Sequence, residues 1–229
     1  MTAFWCRAGT AATITPPGIE GMIGPPGPAY GDTISGNAGN DRFVYAGASE
    51  TSHVLGNTTT TVASVDSLPE FDDAGNDTLV IDIAAGGMNN LVNSTVQSQA
   101  ALANIVVANG AIVLVEANDI VTAANLIDMT AVVAGLGLSA TLTTGQVAGA
   151  QLLLAVDTPS SVGLFLWTSS AAGDTTIGAA ELQLLAILDD TDIDAAGGEA
   201  ADVFTIADLT VRVGAATGKQ TLNMNATVR

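Results

Sequence analysis

Short apolar runs closed off by turn-forming residues dominate the second half of the chain. Ala111 to Val115, Leu152 to Val156, Gly163 to Trp167 and Leu182 to Leu188 are four such runs. Runs this short, bounded by Gly, Asn, Asp, Pro and Ser, predict buried strands. Strands are therefore expected near 111–116, 150–157, 162–168 and 181–188, with Asp157-Thr158-Pro159-Ser160-Ser161 as a hairpin loop. Upstream, Thr78-Leu79-Val80-Ile81-Asp82-Ile83 alternates and predicts a further strand. One segment reads differently: Ser94 or Thr95 can cap Val96 to Ala108, where Ala100, Ala101, Ala103, Val106 and Val107 suit a helix stopped by Asn109-Gly110. The pattern predicts a mainly β chain with one α-helix.

The stretch Met129 to Val156 carries no charge, which raises the question of a membrane span. It holds four glycines, four threonines, two glutamines and Ser139, so no run of about twenty continuous apolar residues exists there. Buried β-structure accounts for the hydropathy better, and no membrane insertion is expected.

Three zones follow. Residues 1–30 hold five of the seven prolines, with glycines at 18, 21, 24 and 27 giving four collagen-like triplets, and read as an irregular lead or polyproline-type linker. Residues 84–229 are the β-rich module with its helix, closing on an acidic turn before Val203-Phe204-Thr205-Ile206. Between them, residues 31–83 carry the sharpest pattern. Asp32 and Asp41 stand nine apart, as do Ile34 and Phe43, and Gly36 to Val44 fits G-G-x-G-x-D-x-U-x at Gly36, Gly39, Asp41 and the apolar position. A third echo, Gly75-Asn76-Asp77-Thr78-Leu79, repeats the core of Gly39 to Phe43. Phe43-Val44-Tyr45, the loop Ala46 to Leu68, and Glu70-Phe71-Asp72 lie between the two.

On these residues the chain resembles the RTX family of secreted calcium-binding proteins, in particular the end of the roll found in serralysin-type and surface-layer proteins. The resemblance implies a short parallel β-roll remnant, in which tight turns alternate with short strands whose apolar side chain points inward. Consecutive nonapeptides would lie on opposite sides of the roll, with each ion between turns stacked one coil apart. Glycines let such turns bring carbonyl oxygens near a cation, and Ca²⁺ takes hard oxygen ligands. The implied ligands are the carboxylates of Asp32 and Asp41, backbone carbonyls near Gly36, Ala38 and Gly39, and Asp77 in the third echo. The order of elements in residues 84–229 is similar to the module that caps such rolls.

Charge narrows the partners. There are 23 acidic against 5 basic residues, a net charge of −18, and no Lys or Arg between Phe43 and Val211. Such a polyanion repels nucleic acid and anionic membranes and attracts cations. Cys6 is the only cysteine, so there is neither an intrachain disulfide nor a thiolate metal cage. The start Met1 to Arg7 lacks an apolar core of useful length, so no N-terminal signal peptide is expected. The family resemblance implies type I export and an extracellular or cell-surface location.

Catalytic constellations are missing from the sequence. No His-Glu-x-x-His, G-x-S-x-G elbow, Walker loop or dinucleotide fingerprint occurs, and Asp72 and Asp73 lack the aromatics of a sugar cleft. His53, the only histidine, reads as a solvated side chain in a polar loop. Asp189-Asp190-Thr191-Asp192-Ile193-Asp194 fails as an EF-hand because Ala195 and Ala201 stand where Gly and Glu are needed, which leaves a solvated turn or helix start. The expectation is a non-catalytic calcium-binding region of an RTX-like secreted protein that folds on binding calcium. The alternative is a surface-layer, adhesin or fibre subunit that self-associates through its β-rich part.

Overall fold

A nine-residue spacing throws successive strands into different sheets, and the chain does this here. The structure is a computed structural model. It describes residues 13–14, 31, 33–34, 42–45, 53–69, 71, 77–82, 96–99, 112–115, 123–137, 141–158, 161–189, 191–192, 202–203 and 209–212. In chain order the strands are β1 (Thr13–Ile14), β2 (Thr33–Ile34), β3 (Arg42–Tyr45), β4 (Asp66–Leu68), β5 (Thr78–Asp82), β6 (Val96–Gln99) and β7 (Ile112–Val115). Helix α1 (Met129–Leu136) follows, then β8 (Thr141–Gln146), β9 (Gln151–Thr158), β10 (Ser161–Thr168), β11 (Asp174–Thr176), β12 (Leu182–Asp189), β13 (Thr191–Asp192), β14 (Asp202–Val203) and β15 (Leu209–Arg212).

The larger sheet has the order β1-β2-β4-β12-β10-β9-β7-β6, and a three-stranded sheet has the order β15-β5-β3. Strand β2 pairs parallel with β4, and β3 pairs parallel with β5. The chain thus visits the two sheets alternately, β2 then β3, β4 then β5, which is a short parallel β-roll. Ile34 and Phe43 are each about 1% exposed, so both nonapeptide apolar positions are buried, in different sheets. Strand β12 continues the first sheet against β4 and β15 continues the second against β5, both parallel. These late strands pair the edges of the second coil, a requirement for backbone groups that would otherwise face solvent.

Strands β9, β10 and β12 form the antiparallel centre, with Phe165 opposite both Leu154 and Leu184. One face, with Leu152, Leu154, Val156, Phe165, Trp167 and Leu184, packs with Leu126, Met129, Val132 and Leu136 from α1 and its approach. On the other parity Leu153, Ala155, Leu164 and Leu166 are buried too. Burial on both faces explains why these strands are continuous apolar runs rather than alternating ones.

The four apolar runs fall in strands where they are expected, but of the expected loop Asp157 to Ser161, Asp157 and Thr158 belong to β9 and Ser161 to β10, with Thr158 opposite Ser161, and residues 159–160 lie outside the described residues. Four further expectations are corrected. Val96 to Gln99, expected to open a helix, is strand β6, parallel to β7 with Val96 opposite Ile112. Val-Gln-Ser-Gln carries no helical apolar face, and a partner strand satisfies its backbone; residues 100–111 lie outside the described residues. Among the described residues the α-helix is Met129–Leu136, in a stretch expected as buried β-structure, where Asp128 accepts from the amides of Thr130 at 2.9 Å and Ala131 at 3.3 Å, and Gly137 at φ 54° ends it. The loop Ala46 to Leu68 is not all loop, since its end supplies β4. Finally, Thr191–Asp192 is a strand paired with Asp202–Val203, not a turn or helix start, while the rest of that acidic run beyond Asp189 lies outside the described residues. In the lead, Thr13–Ile14 pairs with β2, and the remainder of 1–30 is likewise outside them.

Candidate functional site

The roll sets the geometry of any cation site at the entries to β3 and β5. Arg42 pairs with Thr78 and Phe43 with Leu79, so in sequence the residues just before these partners are Asp41 and Asp77. The two Gly-Asn-Asp triplets, 39–41 and 75–77, therefore precede strands that are in register one coil apart. The Phe43 and Phe71 rings, both buried, lie 5.6 Å apart in a tilted arrangement.

Asp77 is 2% exposed. The other residues implied as ligands, Asp32, Gly36, Ala38, Gly39 and Asp41, lie outside the described residues. Among the described residues no three His, Cys, Asp or Glu side chains converge as a metal-holding group. The donor chemistry of the implied set, carboxylate and carbonyl oxygen, suits a hard divalent cation. Coil spacing also depends on Gly31, where a β-carbon would fall inside the backbone of Val65 on the adjoining segment. The glycine before Asp32 is thus required by the close approach of two backbones.

His53 is not solvated. It is 2% exposed, with Leu184 donating its amide to Nδ1 at 2.8 Å and Nε2 lying 3.1 Å from the Asn57 carbonyl oxygen. Gln183 Nε2 donates to the His53 carbonyl at 2.8 Å. Burial pushes the imidazole pKa below its ordinary 6.5, with the Asn57 carbonyl opposing in part. No local signal marks this role, because Gln183 and Leu184, which tie it to β12, lie 130 and 131 residues away.

A cleft of about 640 Å³ runs between Ser170–Thr176 and Gly178–Glu181. Its acids are already engaged. Glu181 Oε2 accepts from Trp167 Nε1 and the Gly178 amide, and Oε1 from the Ser170 amide, each at 3.0 Å. Burial opposes ionisation of Glu181, but these hydrogen bonds outweigh it and hold the carboxyl below its usual range. Asp174 Oδ1 accepts from the Thr176 amide at 3.1 Å and its hydroxyl at 3.3 Å. Both carboxylates fix the backbone around them.

Compared with models of protein families, with curated proteins and with solved structures, the chain finds no match. Among the described residues no helix is long and apolar enough to cross a membrane.

Proposed function

We propose that this chain is a non-catalytic, calcium-binding region of an extracellular RTX-like protein, exported by a type I route and folding when it meets calcium. The observation that supports the reading best is the register of β3 on β5, which follows two Gly-Asn-Asp triplets one coil apart. On this reading Asp41 and Asp77 supply carboxylates to one cation, Asp32 serves a neighbouring turn, and the carbonyls near Gly36, Ala38 and Gly39 complete the oxygen shell. Outside a cell calcium is millimolar, and extracellular modules bind it with Kd on the order of 10⁻⁴ to 10⁻³ M. Inside, with calcium scarce, carboxylate repulsion keeps the chain unfolded.

Calcium titration followed by circular dichroism tests this. The expected result is a saturable gain of β-structure that Asp41→Ala and Asp77→Asn each shift to higher calcium. Identical spectra with calcium and with chelator would overturn it, and a calcium-independent polymer in light scattering would favour the surface-subunit reading.

A further inference from the structure

We propose that His53 is a pH-operated latch, whose neutral imidazole locks the loop between β3 and β4 onto β12 and releases it on protonation. Strand β4 covers the edge of β12 only at Ala186, Ile187 and Leu188. Beyond that, at Gln183 and Leu184, His53 takes over the edge with its ring and its carbonyl. An amide can only donate, so Nδ1 must be the bare acceptor, and Nε2 then carries the hydrogen given to Asn57. A second proton would turn Nδ1 into a donor facing a donor, in a buried site where both ring nitrogens are committed to backbone.

The titratable groups on the elements around the ring are Asp66 on β4, Asp128 beside the Thr59 bridge, Glu181 just before β12 and Asp189 at its end. The loop from Val54 to Val65 contributes none. The loop is also tied to the start of α1, where Thr60 donates its amide to the Ile127 carbonyl at 2.9 Å and Met129 donates to the Thr58 carbonyl at 2.8 Å. The imidazole thus joins this loop to β12, and the backbone bonds of the same loop reach the approach to the helix.

Burial, which lowers the folded-state pKa below 6.5, fixes the sign. Between the two values the unfolded chain binds more protons, so the latch's contribution is complete above about 6.5 and is lost as pH falls through the folded value. None of this depends on the calcium reading.

Because His53 is the only histidine, its Cε1 proton resonance can be titrated without ambiguity, at constant millimolar calcium. The expected midpoint lies below 6.5, and protection of the Leu184 amide from hydrogen exchange, corrected for intrinsic rate, falls roughly tenfold around the same midpoint. His53→Asn retains an acceptor oxygen near the Nδ1 position, and there the fall should vanish. A midpoint at or above 6.5, flat Leu184 protection across the wild-type titration, or an equal fall in His53→Asn would each overturn the latch. Should that variant not fold, agreement or disagreement of the two wild-type midpoints decides alone.

Discussion

Among the described glycines, Gly31 has the least room for a side chain. Its missing side chain is required by the backbone of Val65, which cannot swing aside as the tip of a flexible side chain can. Gly31→Ala is expected to cost about 1–3 kcal/mol, read as a lower urea midpoint with an unchanged slope. Wild-type stability in that variant would mean that the two segments do not approach so closely. Gly173 is the contrast: at φ +80° with open space around it, alanine there strains the backbone without a clash. Residues whose role comes from spacing along the chain were legible, as with buried Ile34 and Phe43 nine apart. His53 was not, because its burial is made by a strand more than a hundred residues away.

At the scale of elements, caps and loop-fixing carboxylates decide what forms. Helix α1 has eight residues, too few to persist without its ends and its packing. Asp128→Ala removes the acceptor for two amides and should lower stability by about 1 kcal/mol, measured by thermal melting. Glu181→Gln replaces one carboxylate that accepts from three donors with an amide that has a single acceptor oxygen. A lower melting temperature is expected, together with loss of part of the acid-side slope. The depressed Glu181 pKa gives stability that is complete above the ordinary 4.5 and lost as pH falls through the folded value. An unchanged pH profile in the variant would show that these hydrogen bonds do not favour the ionised form. The strands at 151–158, 161–168 and 182–189 were legible because both faces are buried and the runs are almost unbroken, and the strand at 112–115 because its apolar run is short and closed by turn residues. The helix was hidden within a longer uncharged run, although Asp128 and Gly137 bracket it in the sequence. Strand β6 was misread because the alanines after Gln99 favour helix locally, whereas its pairing with β7 is a non-local contact that no window around Val96 contains.

For the whole molecule, the question is how a chain of net charge −18 tolerates folding. Residues 69–77, which link β4 to β5, carry four carboxylates, Glu70, Asp72, Asp73 and Asp77, and no lysine or arginine occurs from 43 to 211 to offset them. Two remedies exist, and they respond differently to ions. Screening depends on ionic strength and saturates slowly, so sodium chloride would serve as well as calcium. Capture of a cation between stacked turns depends on free calcium and saturates near its Kd. At free calcium about ten- to a hundredfold above Kd, each site adds about 1.4–2.7 kcal/mol, or roughly 3–10 °C in Tm for a chain of this size. Melting curves in calcium chloride and in sodium chloride of equal ionic strength should therefore separate, and Asp77→Asn should draw them together. Coincident curves would assign the gain to screening and leave the register of β3 on β5 as a matter of fold alone.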